Sequence, residues 1–271
     1  LACSSIGVIW SSCSPDFGVE GVVDRFGQIE PKLFLAVDGY SYNGKEIDTS
    51  STVKSIVELI PSIKDTIIIP FLDEFPKHDT KNNIIYWSDL IKEKATLEFT
   101  SLPFDHPLYI LFSSGTTGLP KCIVHGVGGT LLQHMKEHVL HYDIGMEDRL
   151  FYFTTCGWMM WNWMVTGLAT GSTLVIYDGS PFYREGEILW DLAESEKISV
   201  FGVSAKYISA QEKAEIIPKN IANLSSIKTI LSTGSPLAPE SFDYVYRDIK
   251  SDIQLSSVSG GTDIISCFVL G

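Results

Sequence analysis

The chain has 271 residues, and its 20 Lys and Arg stand against 33 Asp and Glu, a formal net charge of −13 at pH 7. Because nucleic-acid binding requires clustered basic surface, this acidic balance argues against a nucleic-acid partner. No segment has the apolar length of a membrane span, so we expect no membrane partner. The length allows one large domain or two smaller ones, and the sequence does not indicate an oligomeric state.

The cysteines indicate the redox compartment. Cys3, Cys13, Cys122, Cys156 and Cys267 are widely scattered, with no CxxC pair among them. An odd number without ligand-like spacing is typical of reduced thiols in a cytosolic protein. We therefore expect free thiols and a cytoplasmic location.

Both ends of the sequence resemble the interior of a longer chain. The opening LACSSIGVIW has no Met, no basic region and no cleavage-site pattern, so it shows no signal peptide. The closing SCFVLG is an apolar run without a turn or cap. We expect a fragment.

Short apolar runs alternate with amphipathic stretches along most of the chain. In chain order, the runs are IGVIWSS (6–12), KLFLAVD (32–38), TIIIPF (66–71), LYILFSS (108–114), RLFYFTT (149–155), STLVIYD (172–178), ISVFGVS (198–204), IKTILST (227–233) and IQLSSVS (253–259). Helical patterns cover 129–143, 187–197 and 238–250. This alternation predicts an α/β fold of mostly parallel sheets covered by helices.

The stretch from Pro70 to Pro107 interrupts the alternation. It is charged and shows few clear elements, so we expect a connector. The expected organisation is two α/β halves, roughly 1–105 and 106–271.

A loop of small and hydroxylated residues follows the fourth apolar run. Its members are Ser113, Ser114, Gly115, Thr116, Thr117 and Gly118. Glycines permit a tight turn with exposed N–H groups, and hydroxyls add donors, so such a nest suits phosphate oxygens. Lys121 adds a positive charge, and Pro120 stiffens the exit.

Two better-known phosphate loops do not fit this stretch. A Walker A loop requires GxxxxGK[ST], whereas Gly118 is followed by Leu-Pro-Lys-Cys; the dinucleotide fingerprint G-x-G-x-x-G is also absent here. On these residues alone, a polar turn without a ligand remains an alternative.

The string YILFSSGTTGLPK resembles the phosphate-binding signature of the adenylate-forming superfamily, which includes acyl-CoA synthetases, firefly luciferase and peptide-synthetase adenylation domains. Two later stretches match in the same order. ILSTGSPLAPE resembles the adenine-side loop, with Gly234, Ser235 and Pro236 at its centre. SVSGGTDI resembles the motif that meets ATP through Gly261 and Thr262, the latter at the α-phosphate; Asp263, by the same resemblance, holds magnesium. Thr262, Asp263 and Lys121 are the residues that we expect to act in catalysis.

Two positions depart from the superfamily pattern. The superfamily more often has Glu where Asp263 stands, and the shorter side chain changes reach without changing chemistry. The usual Gly after the Pro-Lys pair is Cys122. We expect Cys122 to be a buried thiol and not a nucleophile, because nothing nearby in sequence would activate it.

Longer stretches resemble the acetoacetyl-CoA synthetases, a family related to the acetyl-CoA synthetases. They are GVIWSSCSPDFGVEGVVDRFGQIEPKLF, FTTCGWMMWNWMVTGLATGSTLVIYDGSP and SGGTDIISCF. The resemblance implies activation of acetoacetate by ATP and magnesium through acetoacetyl-adenylate, then thioester formation with coenzyme A. It covers essentially the whole chain.

Such enzymes are much longer, so we expect the chain to correspond to part of their large N-terminal adenylation domain, without the C-terminal lid. The ribose-binding Asp and the adenylating Lys would follow Gly271, and this chain alone is not expected to complete the reaction. A truncated nucleotide-binding form and a ligase for another short-chain acid remain alternatives.

The resemblance also implies an acyl pocket. Acetyl-specific relatives carry a bulky Trp at the position of Gly260, so its removal would leave room for a longer acid. Trp158, Met159, Met160 and Thr233 match the other pocket walls. Ordinary core packing is the alternative for the WMMWNWM stretch.

One further catalytic pattern occurs in the helical stretch after the loop. His134, Glu137 and His138 have the H-x-x-E-H spacing of inverted zinc proteases, and His141 extends the same side. The alternative is an amphipathic helix whose histidines lie at its solvated edge. No distant acidic ligand can be identified, so we favour the amphipathic helix.

Overall fold

The computed structural model describes residues 1–73, 83–92, 94–113 and 118–271. The chain folds as two compact α/β units, Leu1–Gly126 and Val127–Gly271. The division predicted from the sequence, near residue 105, lies earlier in the chain than the observed boundary, because a hairpin after residue 105 belongs to the first unit. In the described ranges, no helix is both long enough and apolar enough to cross a membrane.

The first unit combines a parallel sheet with two antiparallel hairpins. Its helices are α1 (Ala2–Ser5), α2 (Val19–Ile29), α3 (Ser50–Leu59) and α4 (Trp87–Leu90). Its strands are β1 (Leu33–Val37), β2 (Gly39–Tyr42), β3 (Lys45–Asp48), β4 (Asp65–Ile69), β5 (Asn83–Tyr86), β6 (Pro107–Ser113) and β7 (Lys121–Gly126). The parallel sheet has the order β1-β4-β5, and β2-β3 and β6-β7 form the hairpins.

Helices α2 and α3 cover this sheet with their apolar faces. Phe26 from α2 and Ile56 from α3 belong to one buried cluster with Phe34 and Ile68 from the strands. Burying such side chains stabilises the unit by about 1.5–3 kcal/mol each. The continuous apolar run of β4 thus forms the buried central strand, as expected for a parallel sheet, and β1 lies at the edge beside it.

Two sequence-based predictions for this unit are wrong. IGVIWSS forms no strand; only Trp10 makes an isolated bridge to Tyr109, because no neighbouring strand pairs with the rest of the run. The stretch from Pro70 to Pro107 is more than a connector, since β5 extends the parallel sheet and α4 follows it.

The second unit contains a five-stranded parallel sheet and a short hairpin. Its helices are α5 (Val127–Met135), α6 (Met159–Thr166), α7 (Ile188–Ser195), α8 (Ala205–Lys213) and α9 (Pro239–Tyr244). Helix α5 continues as a π-helix (Lys136–His141), and α9 continues as another (Val245–Ile249). Its 3-10 turns are Gly167–Thr170, Arg184–Gly186 and Pro218–Asn220.

The strands of this unit are β8 (Arg149–Tyr152), β9 (Thr173–Val175), β10 (Val200–Ser204), β11 (Thr229–Thr233), β12 (Gln254–Ser257), β13 (Ser259–Gly261) and β14 (Ser266–Val269). The sheet order is β12-β11-β10-β8-β9, and every pairing in it is parallel. β13 and β14 form an antiparallel hairpin.

Large aromatic side chains fill the core of the second unit. Trp190 from α7 stacks on Phe201 from β10 with ring centroids 4.9 Å apart. Glycine is required at position 202 because the backbone there lies close to the Tyr152 ring. A Cβ on Gly202 would lie 2.1 Å from Cδ2 of that ring. The packing therefore fixes β10 against β8 at the centre of the sheet.

A buried carboxylate joins three strands at their amino-terminal ends. Asp148 precedes β8 and accepts hydrogen bonds from Ser199 Oγ (2.8 Å), before β10, and from Lys228 Nζ (3.0 Å), before β11. Gly145 N donates a third (2.9 Å). Burial raises the pKa of Asp148, but these donors together hold that pKa below its ordinary value.

Candidate functional site

The motif residues of the second unit follow the carboxyl ends of neighbouring parallel strands. Gly234–Pro236 follows β11, and the segment 258–263 follows β12, its neighbour in the sheet. Trp158 lies between the end of β8 and the start of α6. Ligands of open parallel sheets bind outside the carboxyl ends of the strands, so this edge is the candidate site.

Contacts at this edge connect the adenine-side loop to its neighbours. Thr233 Oγ1 donates a hydrogen bond to Val258 O at 2.8 Å, which fixes the end of β11 to the chain after β12. Gly234 has φ +89°, a conformation that favours glycine, and a Cβ there would lie 4.0 Å from Trp158 Cζ2. Trp158 packs in turn edge-on against Tyr152, with centroids 6.0 Å apart. Thr233, Gly234 and Trp158 are thus neighbours.

The turn after β13 presents the residues assigned to the α-phosphate and the metal. Thr262 is half-buried, and its carbonyl accepts a hydrogen bond from Ile265 N at 3.2 Å. Asp263 is exposed, and its carboxylate makes no hydrogen bond or ion pair with any residue that the structure describes. It is therefore available to a ligand.

A magnesium ion carried by a nucleotide fits this turn better than a protein-only metal cage. Magnesium is usually held by one or two carboxylates together with substrate phosphates and water. Among the described residues, no group of three or more metal-ligating side chains is present. Asp263 has the chemistry for the single protein ligand in such an arrangement.

Gly260 does not leave the open space that the sequence suggested. It pairs with Cys267 across the β13-β14 hairpin, and a Cβ at Gly260 would lie 2.1 Å from Ser266 O. The Cβ direction is thus filled by the backbone of β14. Glycine is required here for strand approach, and a bulky substitution would distort the hairpin before it met any ligand.

The predicted pocket walls separate into two groups. Trp158 and Thr233 lie at the carboxyl edge of the sheet, next to Gly234. Met159 and Met160 are buried on α6, and Met160 lies among interior side chains that include Trp163. Core packing therefore accounts for Met160, whereas a wall role for Trp158 and Thr233 agrees with their position.

The phosphate loop belongs to the first unit, where it connects β6 to β7. Ser113 and Lys121 form the last pair of this antiparallel hairpin, and Lys121 is exposed. Gly118 has φ +104° with open space at its Cβ, as a tight turn requires. Ser114, Gly115, Thr116 and Thr117 lie outside the described residues.

Helix α2 supports this hairpin through contacts that sequence reasoning missed. Gln28 Nε2 donates to Pro120 O at 2.9 Å, directly before Lys121. The Arg25 guanidinium lies 4.9 Å from the centroid of the Phe17 ring and 6.0 Å from that of Phe112. No local pattern signals a contact between residues 92 positions apart, so only the fold reveals it.

The comparisons with known proteins agree with this arrangement. Residues 1–269 match the family of AMP-binding enzymes. The chain belongs to this family.

Relatives narrow the comparison within the AMP-binding family. The chain is 56% identical over 274 residues to acetoacetyl-coenzyme A synthetase of Rhizobium meliloti (strain 1021), covering 100% of this chain and 42% of that protein. It is 43% identical over 291 residues to malonamoyl-CoA synthetase of Penicillium aethiopicum, covering 99% of this chain and 40% of that protein.

A solved structure shows the same fold. Acetoacetyl-CoA synthetase from Streptomyces lividans superposes with a TM-score of 0.92 at 43% identity, covering 99% of this chain and 42% of the other. The predicted α/β fold with mostly parallel sheets is confirmed. The chain spans about two fifths of the length of the proteins that it matches.

In this AMP-binding family member, the prediction for Cys122 is wrong. The thiol is exposed, because β7 belongs to a two-stranded hairpin and Cys122 lies on its open side. Partial burial still raises the pKa of Cys122, which disfavours the thiolate. All five cysteines lie in the described ranges, and none of them forms a disulfide bond there.

The histidines of the H-x-x-E-H pattern do not lie at a solvated edge. His134, Glu137 and His138 are fully buried. His134 Nε2 lies 3.0 Å from Ile265 O, and His138 Nε2 lies 3.0 Å from Trp163 O, so a backbone carbonyl engages Nε2 of each ring. Burial lowers the pKa of His138 to about 4. The helix is inserted between α6 and β14, and the pattern serves packing and hydrogen bonding.

Proposed function

We propose that the complete polypeptide containing this chain is an acid–thiol ligase that activates acetoacetate with ATP and transfers the acyl group to coenzyme A. The observation that carries this proposal is the placement of the Thr262–Asp263 turn and the Gly234 loop beyond adjacent parallel strands. Its support is family membership, together with similarity to proteins named acetoacetyl-CoA synthetase.

The first half of the reaction needs alignment and charge compensation. A carboxylate oxygen of the acid attacks the α-phosphorus of ATP, and the bond to pyrophosphate breaks, leaving an acyl-adenylate. In this proposal Lys121 and the hydroxyl loop that begins at Ser113 bind the outer phosphates, Thr262 donates to the α-phosphate, and Asp263 holds magnesium. When bound, magnesium neutralises charge on the phosphate oxygens.

The second half converts the mixed anhydride of the acyl-adenylate into a thioester. The coenzyme A sulfur, as thiolate, attacks the acyl carbonyl carbon, the C–O bond to AMP breaks, and a thioester remains. The reduced cysteines favour a reducing compartment, and we place the reaction in the cytosol.

The proposed acid has a carbonyl at its third carbon. Acetoacetate and malonamate, the acid named by the Penicillium aethiopicum relative, share this carbonyl and differ in a terminal methyl or amino group. We assign Trp158 and Thr233 to the wall that meets this end of the acid. A pocket of this kind separates the two acids through the terminal group alone, because their shapes are nearly the same.

The test is acid-dependent formation of AMP and thioester by the complete polypeptide with ATP, magnesium and coenzyme A. Acetoacetate, malonamate and acetate are supplied in parallel, and we expect acetoacetate to give the highest kcat/KM. Asp263→Ala should reduce the rate at least about tenfold, whereas Asp252→Ala, at an exposed carboxylate of the same unit, should not.

Each other outcome has a definite meaning. A higher kcat/KM with malonamate or acetate would refute the proposed acid. ATP binding without adenylate formation from any short acid would refute the ligase and indicate a nucleotide-binding protein.

A further inference from the structure

The carboxylate of Glu137 is the centre of a buried network in the second unit. Its Oε1 accepts hydrogen bonds from Ser266 Oγ (2.6 Å), Gln133 Nε2 (2.8 Å) and Cys267 N (3.1 Å). Its Oε2 accepts from Trp163 Nε1 at 2.8 Å. All four partners are donors, which is the environment that a buried carboxylate ion requires. The pKa of the Cys267 thiol is raised to about 12, mainly by burial and secondly by the charge of Glu137.

His134 extends the network one helical turn earlier. Its Nε2 donates to Ile265 O at 3.0 Å, because a carbonyl can only accept. Its Nδ1 lies 2.9 Å from Thr166 Oγ1, at the end of α6. His134 and Glu137 therefore hold three consecutive residues, 265 to 267, and also contact α6.

These contacts join the two sides of the candidate site. Residue 265 follows Asp263 by two positions, so the held segment is the continuation of the Thr262–Asp263 turn. Trp163 lies on α6, whose first turn follows Trp158. The carboxylate of Glu137 thus bonds to the helix behind the proposed acyl wall and to the strand behind the proposed phosphate turn.

The local backbone is adapted to this role. The α-helix becomes a π-helix at Lys136, and Glu137 lies in the widened segment. π-Helical insertions occur frequently at functional sites. The Asp263 carboxylate has no hydrogen-bond or ion-pair partner among the described residues. Its position is therefore set by the contacts that hold residues 265 to 267.

We propose that Glu137, assisted by His134, is a positioning residue that couples the acyl side of the site to the magnesium and phosphate side. This inference rests on the proposed function. Losing an outer partner of a metal or phosphate ligand typically lowers affinity or activity by about 10- to 100-fold, because the ligand is no longer held in place.

The test separates the two arms of the network in the complete polypeptide. Ser266→Ala and His134→Leu remove contacts to the phosphate side, and Trp163→Phe removes the indole donor on the acyl side. The readouts are acid-dependent ATP–pyrophosphate exchange, titrated with magnesium, ATP and acid, and magnesium-dependent ATP binding.

We expect variants on the phosphate side and on the acyl side to change the requirement for different substrates. Ser266→Ala should raise the magnesium and ATP needed for half-maximal rate about tenfold, with the acid requirement little changed. His134→Leu should raise the same two requirements and, because it also loses the contact to Thr166 on α6, the acid requirement to a smaller extent. Trp163→Phe should raise the acid requirement instead, and Glu137→Gln should raise both. His134→Gln, whose amide can still donate to Ile265 O, should restore most of the loss of His134→Leu.

The chain offers a matched control for loss of buried packing. Trp190 Nε1 donates to Gln211 Oε1 at 2.9 Å, and both side chains are buried in the same unit. Trp190→Phe and Gln211→Leu should lower the melting temperature without changing either requirement.

Variants that lose only thermal stability, as these controls do, would overturn the inference. So would a Trp163→Phe variant that changes the magnesium requirement as Ser266→Ala does. A wild type that binds ATP with magnesium but activates no acid would refute the proposed function instead. The magnesium dependence of ATP binding in Ser266→Ala and Glu137→Gln would then still test the coupling.

Discussion

His138 makes the stability of the second unit depend on pH in a range where few other side chains titrate. Its ring is fully buried against Trp163, with centroids 4.2 Å apart, and Nε2 donates to Trp163 O. Nδ1 has no hydrogen-bond partner among the described residues, so a proton added there would be buried and unpaired. The folded state therefore favours the neutral ring.

The size of the effect follows from the two pKa values. The pKa of His138 is lowered from 6.5 to about 4. Burial is the largest cause and His134 adds to the lowering, while the Trp163 carbonyl and Glu137 oppose it. The contribution is complete above about pH 6.5 and declines as pH falls, because the unfolded chain binds the proton first. Between pH 7.5 and pH 5, the free energy of unfolding should fall by about 2 kcal/mol from this residue alone.

The assay compares the wild type with His138→Gln by urea unfolding, monitored by tryptophan fluorescence at both pH values. The glutamine amide can donate to Trp163 O but does not titrate, so other groups cancel in the comparison. The stability advantage of the wild type should shrink by about 2 kcal/mol at the lower pH. An advantage that stays constant within about 0.5 kcal/mol would refute a buried neutral His138.

Three further predictions concern residues outside the proposed coupling network. Asp148→Asn should cost about 1.5–3 kcal/mol of stability near neutral pH, since charged hydrogen bonds are lost. Because the folded pKa of Asp148 is lowered, that difference should persist above about pH 4 and vanish in stronger acid, as urea midpoints across that range would show. Gly202→Ala should destabilise by about 1–3 kcal/mol through its clash with Tyr152, whereas Gly129→Ala, at an exposed helical position with open space, should not; melting curves distinguish them. Gln28→Leu should weaken ATP binding about threefold, the size of one neutral hydrogen bond, and titration calorimetry on the complete polypeptide measures it.

The parallel sheets could be predicted from the sequence because their strands are continuous apolar runs. β10 and β11 are buried along nearly their whole length, and such runs have no other stable position in a domain of this size. The run at 6–12 has a similar composition but forms one bridge, because a strand also requires a neighbour that the local sequence does not specify.

The buried network could not be predicted in the same way. A helical pattern places His134 and Glu137 on one side of a helix, but their partners Ile265 and Ser266 are 131 and 129 residues away. Charged residues are almost never fully buried unless they are paired, so the pattern favoured a solvated edge. Only the three-dimensional structure supplies the donors that reverse this expectation.

Gly260 shows how a glycine can be explained by two different needs. The sequence resemblance predicted an emptied pocket at Gly260, whereas the β13-β14 hairpin requires glycine because Ser266 O occupies the Cβ direction. The second need holds whichever acid is bound, so Gly260 alone does not select acetoacetate. We therefore propose that the choice between acids depends on side chains that lie at the carboxyl edge of the sheet and are not part of the β13-β14 hairpin. Trp158 meets this condition, since its indole lies beside Gly234, and substitutions there test the choice of acid more cleanly than substitutions at Gly260.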